Sequence, residues 1–358
     1  MADSDSAATK MARALEPMDP AKLQVMDPYI RQQLEVRREQ LKTAMSGTPA
    51  GRNTGDTTQL ADLLHQVDSA IQRMDAGTYG ICDVCHDTVE KERLIADPLT
   101  TLCLDHLSGE EQRALERDLE LAARIQRGLL PREDVRVGDW EIHFRYKPAG
   151  IVSGDYCDVI SVADNVGAPF VLVGDVAGKG VAAALLMSHL HAMFRTLSGA
   201  GLGLGRLLEM ANRVFCESTF AGQYATLVCA RPHDDGQVEI ASAGHLPALL
   251  VSQSGVQKIG STGLPLGMFS ASRYSIDTVR LEAGDSLLLF TDGISEAMSA
   301  SGREFGIDGL SSAAARERHM QPKELAAVCL ADVEAYGSGT RQADDQTLMI
   351  VQRALRPS

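Results

Sequence analysis

The stretch Gly174-Asp175-Val176-Ala177-Gly178-Lys179-Gly180 decides how the larger part of this chain is read. The apolar run Pro169–Val173 before it predicts a buried strand, and Val181–Met187 after it predicts a buried helix. A carboxylate therefore stands where a core strand turns sharply into a helix, with glycines on both sides that let the backbone approach something closely. The stretch imitates a phosphate-binding P-loop without being one. Three residues rather than four separate the first glycine from Gly178-Lys179, and Gly180 takes the place of the magnesium-binding hydroxyl. A lone aspartate here also suits a helix cap, so the reading turns on whether other acids share its setting.

Several do. Asp155 opens a strand-like run after Gly154, in Val152-Ser153-Gly154-Asp155-Tyr156. Asp292 closes the apolar run Leu287–Phe290 and precedes Gly293, and Asp344 and Asp345 precede the last apolar run, Gln346–Val351. Each is an acid at the mouth of a core strand. Carboxylates gathered in one place repel unless cations neutralise them. An all-oxygen set without His or Cys favours Mg²⁺ or Mn²⁺ over zinc, and two such ions can share a carboxylate and activate a water. Around these acids the pattern is one of short strands at 140–147, 155–162, 170–176, 225–230, 238–243, 248–252, 274–281 and 286–290, with the final run as the last. Helices are predicted at 181–197, 203–219, 307–318 and 322–336. Strands joined by short turns with helices added in pairs predict an α+β fold built on antiparallel sheets.

The chain has 358 residues, 44% hydrophobic but only 4% aromatic, so a sizeable core must be aliphatic. A formal net charge of −14 argues against direct nucleic-acid binding and against an anionic membrane surface. No run reaches the roughly 20 apolar residues of a membrane span, and the N-terminus has no signal-like hydrophobic region, which makes the cytoplasm the expected location. Seven cysteines, three of them clustered, point to metal ligation rather than disulfides in a reducing compartment.

The N-terminal part reads separately. Residues 1–27 form a polar tail, and Asp27-Pro28 opens a helix running to about Met45. The Gly/Thr/Pro-rich segment 46–59 reads as a loop, and Leu60, Leu64, Val67, Ile71 and Met74 form the seam of a second helix, so the pair makes a coiled-coil hairpin. Cys82 and Cys85 then form a CxxC knuckle, and Cys103 and His106 a CxxH pair seventeen residues later. Two close pairs of such ligands fit one tetrahedral, structural Zn²⁺ with no position left for water; His86 reads as a bystander. Ser108–Glu111 fits a capping box, and a helix follows to Leu130, stopped by Pro131. Leu115, Leu119, Ala122 and Leu129 form its apolar stripe, widened by Leu121 and Ile125.

Two resemblances complete the reading. The hairpin, GTYGICDVC and ERLIADPLTTLCLDH resemble the DksA/TraR zinc-finger proteins over about residues 28–107. His106 stands for the usual last cysteine, and the acidic tip that these proteins insert into RNA polymerase survives only as Asp56-Thr57-Thr58-Gln59-Leu60-Ala61, so a polymerase role does not carry over safely. The ordered motifs LAARIQRGLLP, VSGDYCD, GDVAGKG, SAGHLPALL, GLPLG, LLLFTDGISEA and DDQT, over about residues 112–353, resemble the SpoIIE/RsbU-type serine phosphatases, a branch of the metal-dependent type 2C (PPM) family. That resemblance implies two stacked antiparallel sheets between pairs of helices. It implies Asp155, Asp175, Asp292 and Asp344 as catalytic metal-binding carboxylates for two Mn²⁺ or Mg²⁺ ions, with the Val176 carbonyl adding an oxygen and Asp175 bridging. Asp345 stays an alternative to its neighbour Asp344. The expected reaction is hydrolysis of phosphoserine or phosphothreonine by metal-activated water, and the expected substrate is a phosphorylated anti-sigma-factor antagonist. The histidine found after the corresponding aspartate in animal relatives is absent here, where Asp175-Val176-Ala177 stands; His245 is a candidate participant but reads better as a structural hydrogen-bonder. The expected organisation is a tail (1–27), a zinc-bearing hairpin as input (28–107), a linker or switch helix through which two copies pair (108–131) and a phosphatase domain (136–354). The competing reading is a DksA-like transcription regulator using the phosphatase-like domain as a binding platform.

Overall fold

The computed structural model describes residues 28–46, 54–106, 109–161, 168–220, 222–340 and 342–355. The expected tail, half of the 46–59 loop (47–53) and Ser108 of the capping box lie outside them. Contacts divide the chain into two compact units, with the boundary between Glu116 and Arg117 inside a helix.

In the first unit, α1 (Pro28–Ser46) and α2 (Thr54–Asp75) run antiparallel, with Arg31 near the start of one paired to Asp75 at the end of the other at 2.8 Å. Ile30, Leu34 and Leu41 bury against Val67, Ala70, Ile71 and Met74, so the predicted seam is the hairpin's core. α2 begins six residues before Leu60, within the segment predicted as loop. The side chains of Thr54–Gln59 lie outside the described residues. The short α3 (Lys91–Ala96) and a single 3₁₀ turn (Leu104–His106) complete the unit. Cys82, Val89, Leu94 and Cys103 share the hairpin's core, so finger and hairpin bury one continuous apolar cluster.

The boundary helix is α4 (Gly109–Leu129). Its buried residues in the second unit are not the predicted leucines but Ala123 and Gln126, while Leu121 and Ile125 are about half exposed. Ala123 packs on Val152 and Ala184. That approach suits an alanine, and the amide of Gln126 is buried because hydrogen bonds satisfy it.

Among its described residues the second unit contains eleven strands. Six form the sheet β1(Asp134–Val137)-β2(Trp140–Lys147)-β11(Gln346–Arg353)-β10(Ser286–Phe290)-β7(Ala248–Ser252)-β8(Gly255–Ile259), and five form β3(Asp155–Ile160)-β4(Phe170–Val176)-β5(Ala225–Pro232)-β6(Gln237–Ala243)-β9(Asp277–Arg280). All pairings are antiparallel. Between the sheets lie Trp140, Ile142, Val171, Val173, Leu289 and Met349. α5 (Gly180–Ser198) and α6 (Leu204–Ser218) cover the five-stranded sheet, setting Leu190, Phe194 and Phe215 on Tyr156, Leu172 and Leu227. α8 (Gly306–Arg316) and α9 (Pro322–Tyr336) cover the other, setting Leu310, Leu325 and Cys329 on Leu288, Phe290 and Ile350. Each large side chain so buried contributes about 1.5–3 kcal/mol. The result is the expected αββα sandwich. β1 and β8 were not predicted, because their burial alternates weakly and neither shows an apolar run. β9 is shorter than the predicted 274–281, because Tyr274 leaves the ladder and packs on Gly263, whose missing side chain makes room for its ring.

Candidate active site

Antiparallel pairing of β3 with β4 sets Asp155 directly opposite Asp175 at one end of the five-stranded sheet. Pairing of β10 with β11 brings the segments that follow Phe290 and precede Gln346 to the same end of the six-stranded sheet. Asp292 opens the short helix α7 (Asp292–Ser295), and Asp344 and Asp345 lie just before β11. Gly293 is obligatory there: a Cβ at that position would stand 2.0 Å from the Asp345 carbonyl oxygen. Gly154 lets the end of β4 and the first turn of α5 come close, because a Cβ on it would meet the Val176 carbonyl oxygen and Ala183 at 3.2 Å.

The sheets are tied together through these acids. Asp155 is 2% exposed, and its Oδ2 accepts hydrogen bonds from the hydroxyls of Thr291 (2.8 Å) and Thr347 (2.5 Å), both on the opposite sheet's segments. Asp345 accepts from the backbone amides of Ala149 (2.7 Å) and Gly154 (3.0 Å), one on each carboxylate oxygen. Its two oxygens thus hold the loop before β3. Asp344 instead pairs with Lys179 Nζ at 2.8 Å. The other Asp344 oxygen accepts from the Asp345 amide at 2.9 Å, so Asp345 is engaged by the backbone of the loop and Asp344 by a side-chain cation. The 149–155 loop is gripped from its other side as well. The Gln126 side chain donates to the Ser153 carbonyl (2.7 Å) and accepts from the Ser153 amide (3.0 Å), and the Ser153 hydroxyl accepts from the Asp155 amide (3.1 Å). Sequence reasoning missed Thr291, Thr347, Gln126 and Lys179. All four stand inside the quoted motifs, Thr291 directly beside Asp292, and their role becomes visible only when the elements meet.

The electrostatics are those of a cluster short of positive charge. Burial pushes the Asp175 carboxyl up to about 7, helped by the charges of Asp292 and Asp344. Burial likewise raises Asp155 well above the carboxylate range, against the two threonine hydroxyls and with the charge of Asp175, and raises Asp292, next to Asp344. Such carboxyls ionise fully only when cations join them. The all-oxygen donor set, with the Val176 carbonyl nearby, fits Mg²⁺ or Mn²⁺. Among the described residues, only the cysteine–histidine set lets all its donors crowd within 4.8 Å for a single ion; the carboxylates are spread more widely.

His245 is 6% exposed. Its Nε2–H donates to the Phe290 carbonyl at 3.0 Å, and its Nδ1 accepts from the Thr226 hydroxyl at 2.8 Å. Burial pushes the imidazole down to about 4, so it stays neutral and braces β5 against the end of β10. Cys157 is fully buried with its thiol pushed well up by burial, an inert core residue.

In the first unit, Cys82, Cys85, Cys103 and His106 converge with one donor atom each within 4.8 Å. Sulfurs about 2.3 Å from one tetrahedral zinc stand about 3.8 Å apart, and Cys85 and Cys103 are 3.7 Å apart, with His106 Nδ1 3.1 Å from Cys103. Burial opposes ionisation at Cys82, but the amides of Cys103, Cys85 and Val84 aimed at its sulfur outweigh it and favour the thiolate. His86 stands outside the donor set.

The sandwich with acids at one end of both sheets is the PP2C-type architecture. The SiaA-PP2C domain of Pseudomonas aeruginosa superposes with a TM-score of 0.59 at 21% identity, covering 68% of this chain and 98% of that one. The family described as Stage II sporulation protein E (SpoIIE) matches residues 166–354, more than half of the chain, and the protein belongs to that family. Residues 77–105 match the prokaryotic dksA/traR C4-type zinc finger, a match that ends one residue before His106. Phosphoserine phosphatase RsbU of Bacillus subtilis is 30% identical over 194 residues, 53% of this chain and 57% of that protein. Protein IcfG of a Synechocystis species is 25% identical over 265 residues, 66% of this chain and 41% of that protein. The chain thus spans about half the length of these curated relatives. No described helix is long and apolar enough to cross a membrane.

Proposed function

We propose that the protein is a metal-dependent phosphoserine/phosphothreonine protein phosphatase. The observation that carries this reading is the convergence of Asp155 and Asp175 from one sheet with Asp292 and Asp344 from the other, with the carboxyls of Asp155, Asp175 and Asp292 raised by burial and by neighbouring negative charge. Asp155, Asp175, Asp292, Asp344 and the Val176 carbonyl would hold two Mn²⁺ or Mg²⁺ ions, with Asp175 shared. When bound, the ions supply Lewis acidity and an activated water for in-line attack on phosphorus. The chain's own residues do the rest. Thr291 and Thr347 orient Asp155, Asp345 and Gln126 hold the loop that carries it, and His245 spaces the sheets without exchanging protons. A relative named phosphoserine phosphatase RsbU supports a phosphoserine substrate, and a phosphorylated anti-sigma-factor antagonist in a partner-switching pathway is the substrate we assign.

Cys82, Cys85, Cys103 and His106 hold one structural Zn²⁺ in this reading. The module at 28–107 is the input, the helix at 108–131 carries the signal to the catalytic domain at 136–354, and two copies pair through the half-exposed Leu121 and Ile125. The test is Mn²⁺-dependent hydrolysis of a phosphoserine protein by wild type and Asp175→Asn. The variant is expected to lose at least a hundredfold in rate, and equal activity after contaminant controls refutes the assignment.

A further inference from the structure

A site walled by carboxylates must still admit a phosphomonoester dianion. Beside the cluster opens a cavity of about 600 Å³. It is lined by Asp344 and Asp345, by the apolar side chains of Ile151, Val152 and Val181, and by Lys179. Lys179 is the one cation among the described residues lining it.

Lys179 stands between Gly178 (φ +109°) and Gly180 (φ +74°), and a Cβ at either glycine would meet nothing within 4 Å. The turn therefore projects the lysine from a backbone that is uncrowded on both sides. Its side chain is 68% exposed, with Nζ 2.8 Å from Asp344 Oδ2 and 3.0 Å from the Ala343 carbonyl oxygen. An ammonium has three N–H donors. Those two acceptors take two of them and hold the group at the edge of the carboxylates, which leaves the third for the cavity. Lys179 is also the N-cap of α5 and makes no side-chain capping bond. The amides that open α5 thus add partial positive charge beside the same cavity.

We propose that Lys179 is the residue that grips the phosphoryl group, donating its third N–H to a non-bridging oxygen while Asp344 and Ala343 hold the ammonium in place. The apolar wall of Ile151, Val152 and Val181 then receives the residues flanking the phosphoserine. This inference rests on the phosphatase reading and adds the substrate contact to it. The competing account is that Lys179 only neutralises Asp344. A point charge on a flexible stem can do either, so the two must be separated by ligand.

The experiment compares the full-length Mn²⁺-loaded wild type with Lys179→Met and Lys179→Arg. Orthophosphate binding is followed by calorimetry and ³¹P line broadening, Mn²⁺ affinity is titrated separately, and KM and kcat are measured on a phosphoserine protein. Lys179→Met is expected to weaken orthophosphate binding at least tenfold and raise KM in parallel, with Mn²⁺ affinity within twofold of wild type; Lys179→Arg recovers most of both. Unchanged orthophosphate affinity in Lys179→Met overturns the proposal, as does an equal loss of Mn²⁺ affinity or a wild type that binds no orthophosphate. Lys179-dependent orthophosphate binding in a protein that hydrolyses no phosphomonoester would leave this contact standing and defeat the enzymatic reading instead.

Discussion

Thr347→Val is the sharpest probe of how the two sheets assemble the site. Thr347 is fully buried and donates its hydroxyl to Asp155 Oδ2 at 2.5 Å. Valine keeps the shape and β-branching, so the strand is not disturbed. A hydrogen bond to a charged group is worth about 1.5–3 kcal/mol, and ~1.4 kcal/mol is a factor of ten in an equilibrium constant. Thr291 still donates to the same oxygen, so the loss falls in the lower half of that range, about ten- to fortyfold in Mn²⁺ affinity. The direction follows from Asp155 itself. Burial already raises its carboxyl, and Thr347 is the strongest influence holding it down. Without that hydroxyl, a proton competes better with the ion. Mn²⁺ titration by calorimetry and by the metal dependence of turnover should move together, while circular dichroism reports an intact fold. Mn²⁺ affinity within twofold of wild type, in a folded variant, would refute the assignment of Asp155 as a ligand oriented from the opposite sheet. Thr291→Val should be harsher, because the Thr291 hydroxyl also accepts from the Thr347 amide at 3.0 Å, which would be left unpaired.

In EDTA, Asp175→Asn should raise the melting temperature at pH 7.5, and the gain should shrink toward pH 5. The folded carboxyl titrates near 7 against an unfolded value of about 3.9, so wild type loses stability as pH rises through that window. The neutral His245 works in the opposite sense below its unfolded value, so the difference between variant and wild type is the readout; a pH-independent difference would sink the claim. Arg195→Met should cost about 3 kcal/mol, ~10 °C in melting temperature, because it strands Asp158, which is 0% exposed and held by two guanidinium bonds of 2.8 and 2.6 Å. That figure sits at the low end for a buried pair because the arginine is 44% exposed, and a loss under 1 kcal/mol counts against it. Cys82→Ser should abolish zinc binding and expose residues 77–106 to protease, whereas His106→Cys should keep one zinc per chain by elemental analysis. A zinc content unaffected by Cys82→Ser removes that residue from the site.

The sequence by itself pointed to antiparallel sheets with paired helices, to the cysteine–histidine quartet and to acids at the ends of core strands, because each sits at the end of an apolar run or within a short fixed spacing; the stacking of two sheets came with the family resemblance. Those are local signals, carried by hydrophobic periodicity and by glycines that only a close approach requires. Tertiary structure alone decided what those acids touch. Asp155 is held by Thr291 and Thr347, more than 130 positions away, and Asp345 spends both oxygens on backbone amides of the loop before β3 while its neighbour meets a lysine. α4 likewise turns Ala123 and Gln126 inward rather than its leucines, because the distance to Val152 and Ala184 and the hydrogen bonds to Ser153 outweigh hydrophobicity. Such choices depend on which surfaces meet across the sandwich. No periodicity along one strand or helix carries that information, since the partner belongs to a different part of the chain.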